Sequence, residues 1–310
     1  MDKINILYCF DSKSWHMAAV SMESLLLNAN PATHITIYCM VAPGTRGRRK
    51  IKKIIGMHKY INADLVWREI KPEENPFQKD EYSKWNPVTF YRLIAYRFFK
   101  DVDKFLYLSN DTLVFHDLFE LYNTDISNEA FAAVYDMAPI NDSTNANGLY
   151  VKDFSAKYLN GGPYYNSGVL LLNLKKFAEN ERVLFDVKVP LRYPEQDLLN
   201  AAFVGKIKTL PIKYNLAPGV GVPSHFSAEE TAEVSAGKHV ILDCYYTKAY
   251  DKEHSNKIAY EMFAKCAKII GVKTESFMKA NRKKMPIKKT FIPHITIREG
   301  KIYFFGMKIG

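Results

Sequence analysis

Apolar residues fall along this chain in two rhythms. Short, nearly unbroken runs occupy 4–10 (INILYCF), 35–41 (ITIYCMV), 104–108 (KFLYL) and 169–174 (VLLLNL), with shorter ones at 63–67, 131–135 and 240–242. Runs of this length without polar alternation read as strands buried on both faces. Between them, Trp15 to about Asn28, Gly44 to Met57 and Thr89 to Phe99 have helical spacing. So does Asn256 to Ile270, where Ile258, Met262, Cys266 and Ile269 share one face. Pro194-Glu195-Gln196-Asp197 opens a further helix, since Pro suits the first helical position and acids suit the positive end of the helix dipole. Strands alternating with helices predict an α/β fold with a doubly wound, mostly parallel sheet. Segments 72–87 and 142–162 are polar. The second, rich in Asn, Gly and Ser, is expected to be a long mobile loop of the lid or binding type. The expected boundary lies near Gly271, dividing a domain of residues 1–270 from a C-terminal region, 271–310.

Composition narrows the class. A chain of 310 residues with 47% apolar content can bury a large core, and 14 Pro with 15 Gly exclude a disordered or collagenous chain. Cys9, Cys39, Cys244 and Cys266 have no CxxC spacing and read as buried reduced thiols, not as a disulfide frame or zinc site. No run of eighteen apolar residues is present, so no membrane span is expected. Met1-Asp2-Lys3-Ile4-Asn5-Ile6 lacks a signal peptide's apolar core, so the expected compartment is the cytoplasm.

The net charge of +10 matters for where it sits. Ten Lys/Arg against Glu275 and Glu299 give 271–310 a surplus of eight, leaving about +2 for the first 270 residues and predicting no basic face on the folded body. The same segment interleaves Phe277, Met278, Ile287, Phe291, Ile292, Tyr303, Phe304 and Phe305. Cations near an anionic leaflet gain roughly 1 kcal/mol each, and apolar side chains insert among headgroups. The expected partner of 271–310 is therefore an anionic membrane surface, with the protein peripheral on the inner face of the membrane. A solvated tail or a docked strand pair is the structural alternative, and nucleic acid is not expected as a partner.

Two nucleotide motifs are missing: no GxGxxG follows the first strand and no GxxxxGK[ST] occurs. Dinucleotide redox chemistry and P-loop phosphoryl transfer thereby lose their main support. Instead, polar residues cluster where predicted strands end. Asp11 follows the first, Asp111 the fourth and Asp136 the next, and Asn166-Ser167-Gly168 precedes the most apolar one. The carboxyl edge of an open α/β sheet is where such folds bind ligands.

These blocks give the chain a resemblance to family 8 glycosyltransferases, the bacterial lipopolysaccharide galactosyl- and glucosyltransferases and glycogenin. It spans about residues 4–250 and rests on INILYCFDS with Ser24-Leu25, TFYRL (89–93), DKFLYLSNDTLV (103–114), YYNSGVLLLNLKKF (164–177), EQDLLN (195–200), LPIKYN (210–215) and DCYYTKAY (243–250). Seven blocks in the family's order make a specific match. The resemblance implies a GT-A type, Rossmann-like nucleotide-binding fold and retaining transfer of a hexose. The donor would be a nucleotide sugar, UDP-galactose or UDP-glucose, and the acceptor a saccharide in lipopolysaccharide or another surface glycan or glycolipid.

The resemblance also implies roles. Asp11 would hold the uracil or ribose edge; as a strand–helix residue it reads equally as a helix cap. Arg92 would bind the diphosphate or a carboxylate bidentately, or else form a helix-surface ion pair. Asn166 and Gly168 match the element beneath the sugar, where glycine permits close backbone approach. Gln196 matches the residue nearest the reacting carbon and, with Asp136 and Asp197, is the implied catalytic set. Glu195 would join them in binding sugar hydroxyls, Glu195 and Asp197 having the alternative of helix N-terminal acids. Lys248 matches the diphosphate-binding lysine.

The family's metal motif is degraded. An Asp-x-Asp plus a late His would hold Mn²⁺ or Mg²⁺ against the diphosphate. Here Ser109 replaces the first Asp, Asn110 is the middle residue and Asp111 remains. Counting back six from Lys248 places Leu242 at the His, beside Asp243, and Ala249-Tyr250 replace the Pro-Trp that follows the lysine. Asp101-Val102-Asp103 precedes the strand and is a decoy. Three outcomes stay open: a metal site rebuilt on Asp111 and Asp243 with Asn110 or Ser109, metal-free transfer supported by Arg92 and Lys248, or a catalytically degenerate nucleotide-sugar or glycan-binding protein.

Overall fold

Each apolar run becomes a strand, and those of the main sheet feed two separate layers. In β1 (Asp2–Phe10), Ile4, Ile6, Tyr8 and Phe10 join one apolar cluster while Leu7 and Cys9 join the other. The same division holds in β2 (Thr33–Val41), with Ile35, Ile37, Cys39 and Val41 opposite Tyr38 and Met40. A strand alternates its side chains between faces, so a sheet covered on both sides needs apolar residues at every position. The computed structural model describes residues 2–78, 80–136, 146–218, 227–245, 247–253, 255–272, 295–298 and 301–304.

Along the chain follow α1 (Trp15–Leu27), α2 (Arg48–Met57), β3 (Ala63–Glu69), α3 (Ala95–Phe98), β4 (Lys104–Leu108), β5 (Thr112–Val114), α4 (Phe119–Tyr122), β6 (Phe131–Ala133) and α5 (Ala146–Tyr158). Then come β7 (Val169–Asn173), α6 (Leu174–Glu179), α7 (Glu181–Asp186), α8 (Pro194–Ala202), β8 (Ile207–Thr209), α9 (Ala228–Ser235), β9 (Ile241–Asp243) and α10 (Lys257–Ile269). The main sheet has the order β3-β2-β1-β4-β7-β6-β8. β3, β2, β1 and β4 run parallel to one another, and β6 runs parallel to β8. β7 opposes both its neighbours, pairing Leu171 with Leu106 of β4 and with Ala132 of β6. β5 and β9 form a separate antiparallel pair with Thr112 opposite Asp243. α1, α2 and α10 cover one face of the main sheet, and the 87–98 helical segment with α6, α7 and α8 covers the other. A doubly wound, mostly parallel α/β sheet is thus present.

Several expectations change. Segment 142–162 is not loop throughout, because 146–158 is helical. Val151 and Phe154 recur at helical spacing and pack with Leu159 and Tyr164 into a small cluster of their own. The Thr89–Phe99 helix is a 3-10 segment over Pro87–Ile94 before it becomes α3. α10 buries Ala259, Phe263, Cys266 and Ala267, with Ile270 buried just beyond its end, and leaves Ile258 and Ile269 exposed. A basic face does exist on the folded body. From Arg46 to Lys59 the chain carries seven Lys/Arg and no Asp or Glu, which averaging over 270 residues conceals. α2 turns Ile51 and Ile54 into the core and its Lys and Arg outward. Gly47 starts it with a φ of 90°, and a Cβ there would lie 2.3 Å from the Trp15 ring. In the C-terminal region, Ile295–Arg298 and Lys301–Phe304 pair antiparallel. Phe277, Met278, Ile287, Phe291, Ile292 and Phe305 lie outside the described residues.

The central pairing should dominate stability. Leu106 is fully buried on the strand between β1 and β7. Leu106→Ala is expected to cost about 3 kcal/mol, read as a lower denaturation midpoint at unchanged m-value. An unaltered midpoint would contradict this view of the core.

Candidate functional site

One reversed strand assembles the site. Because β7 runs against β4 and β6, its N-terminal end, preceded by Asn166-Ser167-Gly168, reaches the edge where β1, β4 and β6 finish. A cavity of about 530 Å³ opens there, lined among others by Cys9, Tyr107, Ser109, Asn110, Asp111 and Asp136, and by Asn166, Gly168, Glu195, Gln196 and Asp243. Such volume suits a small organic ligand.

Gln196 sits at the head of α8, where Pro194 occupies the first turn. Its side-chain oxygen accepts from the Ser167 backbone N–H at 2.8 Å, and its amide nitrogen donates to Asp136 Oδ2 at 2.7 Å. Asp136 accepts a second bond on Oδ1 from the Tyr245 hydroxyl at 2.9 Å. With a donor fixed at its oxygen and an acceptor at its nitrogen, the amide orientation is determined. Glu195 accepts from Ser167 Oγ at 3.2 Å and faces the Arg92 guanidinium at 3.5 Å. Arg92 is buried: it donates to the Ser167 carbonyl at 2.7 Å and stacks 4.1 Å above the Tyr107 ring, while its Nε has no hydrogen-bond partner. It acts as a fixed cation within the cavity wall.

Asp111 and Asp243 approach one another through the β5–β9 pair, where the Cys244 N–H donates to the Asp111 carbonyl. The Lys248 ammonium hydrogen-bonds Asp111 Oδ2. Burial lowers the affinity of Lys248 for its proton, but Asp111 outweighs that and keeps the amine charged. Burial, then the nearby Asp111 charge, pushes Asp243 up to about 7. Asp243 Oδ1 has no hydrogen-bond partner, and a Cβ at Gly168 would meet Oδ2 at 1.8 Å. Glycine at 168 is thus required by the carboxylate pressed against it.

Most of the site residues expected from sequence converge here, but three do not line the cavity. Asp11 stands at its rim: Oδ1 accepts from the Lys13 and Ser14 N–H groups and from Ser14 Oγ, and Oδ2 from Asn86. Burial raises its pKa, but those bonds prevail and hold it below the usual carboxylate range. These bonds fold the turn that leads to Ser14, the N-cap of α1, and couple Asp11 to the cavity through Asn86 and Ser14. Lys248 acts from behind Asp111. Asp197 is a correction to the sugar-binding and catalytic set. It is fully buried and accepts from Tyr164 at 2.5 Å, Tyr150 at 2.8 Å and the Tyr193 N–H at 2.9 Å, tying α5 to α8. Burial raises it to about 6. Leu242, counted to the metal ligand's place, is core, because strand alternation gives the cavity to Asp243 instead.

Trp85, Asn86, Arg192 and Tyr193 also line the cavity outside every quoted block, as does Tyr245, which lies within the 243–250 block without an assigned role. Arg192-Tyr193 immediately precede the Pro194 helix start, which is the one local signal they carried.

A divalent cation is implied by the family motif, and the donor set here does not fit it. Among the described residues no three His, Cys, Asp or Glu gather as ligands. Asp111 and Asp243 remain, but Asp111 is held by the Lys248 ammonium, and burial favours the neutral form of Asp243.

Comparison with known proteins agrees with the architecture. The sequence profile of Glycosyl transferase family 8 matches residues 5–237. A lipopolysaccharide 1,2-glucosyltransferase of Escherichia coli is 33% identical over 140 residues, 42% of this chain and 39% of that protein. Another, from E. coli strain K12, is 29% identical over 219 residues, 68% of this chain and 62% of that one. The matches thus span between about two fifths and three fifths of these curated relatives. The crystal structure of the galactosyltransferase LgtC in complex with donor and acceptor sugar analogs superposes with a TM-score of 0.66 at 21% identity, covering 89% of this chain and 99% of that one. It confirms a GT-A type fold.

The raised Asp243 makes a stability test. Its neutral form is favoured in the fold, so its contribution is complete below the unfolded pKa near 4 and is lost as pH rises through about 7. Asp243→Asn is therefore expected to melt like the parent near pH 3 and to gain about 4 kcal/mol over it at pH 9, by thermal denaturation. A difference independent of pH would contradict the assigned burial.

Proposed function

The chain belongs to glycosyl transferase family 8, and from that premise we propose that it is a retaining hexosyltransferase acting on a nucleotide diphosphate sugar. The observation that carries the reading is the Gln196 amide, clamped between Asp136 and the Ser167 N–H in the cavity it shares with Asp111 and Glu195. A neutral amide is a poor nucleophile, yet its fixed dipole and the adjacent Asp136 and Glu195 carboxylates stabilise positive charge growing on a sugar ring. The bond from C1 to the diphosphate oxygen breaks, and the bond from C1 to the acceptor oxygen forms on the same face. The acceptor's proton passes to the departing phosphate oxygen. This differs from glycosidase chemistry, which needs a carboxylate nucleophile or base. Lys248 leaves Asp111 to meet the diphosphate, and Arg92 adds its charge from within the wall. No step is routed through a divalent cation.

The resemblance supports UDP-glucose or UDP-galactose as donor. The relatives named lipopolysaccharide 1,2-glucosyltransferase support lipopolysaccharide or a similar surface glycan as acceptor. Residues 271–310, with their charge surplus, would hold a separate, membrane-facing region against the inner leaflet. The loss of the family's metal ligands at Ser109 and Leu242 favours one other reading, a nucleotide-sugar-binding protein without turnover.

Calorimetry with UDP, followed by a panel of UDP-sugars assayed for transfer and slow hydrolysis, tests the proposal. UDP is expected to bind alike with Mn²⁺ and with EDTA, and one hexose donor to turn over. Gln196→Ala should lower turnover by about 10²–10³ at nearly constant UDP affinity. Lys248→Ala should weaken UDP binding by about tenfold or more. Binding without turnover of any donor would give the second reading, and no UDP binding in either condition would defeat both.

A further inference from the structure

We propose that the outward face of α2 and its flanks, Arg46 to Tyr60, is a docking surface for an anionic lipid bilayer, built into the folded domain itself and distinct from the 271–310 segment. Arg46, Arg49, Lys52, Lys53 and Lys59 are exposed on it, and no acid lies between Glu23 and Asp64 in the sequence. Of the two remaining cations, Arg48 pairs with Glu69, and Lys50 donates to the Gly271 carbonyl at 3.0 Å.

Folding does not explain these charges. Arg48, Arg49 and Lys50 stand in the first turn of α2, against the positive end of its dipole, with no acid in that turn. Arg49 meets Lys52 and Lys53 at spacings of three and four, where like charges repel. Arg48 and Lys50 find partners within the fold, but Arg49, Lys52 and Lys53 form no ion pair among the described residues, so their relief is expected from an external counter-charge. The apolar side chains at the end of the face select its kind: Met57 is 41% and Tyr60 89% exposed beside Lys59. A headgroup layer takes cations and inserted apolar or aromatic side chains together.

Two contacts orient the surface. The Arg46 N–H donates to Ser12 Oγ at 3.0 Å, so the face begins beside the Asp11 turn at the cavity rim. The Lys50–Gly271 bond places the root of the basic C-terminal segment against the same helix. A bilayer held there would lie next to the cavity mouth, within reach of an acceptor carried on lipid. The lipid docking itself stands whether or not the chain transfers a sugar.

Vesicle co-sedimentation of the full chain tests the inference, comparing phosphatidylcholine vesicles with vesicles enriched in phosphatidylglycerol. Each removed cation should weaken binding roughly fivefold, so Arg49→Glu/Lys52→Glu/Lys53→Glu should weaken it on the order of a hundredfold or more. A control, Lys152→Glu/Lys157→Glu on α5, should bind like the parent, and both variants should keep the parent's UDP affinity. Met57→Ser/Tyr60→Ser should also bind more weakly than the parent. The inference is overturned if the triple variant sediments like the parent, if neutral vesicles bind equally well, or if duplex DNA or RNA displaces the vesicles from this face.

Discussion

The antiparallel pairing of β7 with β4 and β6 is the constraint on which the site depends. Had Val169–Asn173 run parallel to its neighbours, Asn166, Ser167 and Gly168 would lie at the opposite edge from Asp111 and Asp136. Reversal brings a strand's beginning to where other strands end, so one rim receives side chains from β1, β4, β6 and β7 together. The Ser167 peptide then serves two partners, its N–H holding Gln196 and its carbonyl holding Arg92. That single peptide links the neutral amide to the buried cation.

Charge in the cavity is arranged around a shortage of cations. Asp111, Asp136, Glu195 and Asp243 share one space, and like charges in low dielectric cannot all stay ionised without compensation. Arg92 and Lys248 supply two positive charges, and burial favours the neutral form of Asp243.

The sequence carried the strands well, since runs such as INILYCF leave no polar face and require burial on both sides. It carried the cavity's membership for the same reason, because residues just beyond strand ends share an edge. It was less able to choose among neighbours. Glu195, Gln196 and Asp197 are consecutive on a helix, about 100° apart, and only packing by Tyr150 and Tyr164 turns Asp197 away. Leu242 and Asp243 are separated by strand alternation, which a motif count ignores. The α5 helix was hidden because its small apolar set, Val151 and Phe154 among polar residues, gives a weak period. On α2, charge averaged over 270 residues concealed a local surplus.

The account's central claim is that this rim grips an activated sugar with the chain's own cations. A crystal structure with an unreactive fluorinated UDP-hexose, grown with EDTA present, tests it most directly. The account expects the diphosphate beside Lys248 and Asp111 and the sugar's C1 facing the Gln196 amide. A nucleotide seated elsewhere, or a sugar turned away from Gln196 and Asp136, would contradict it.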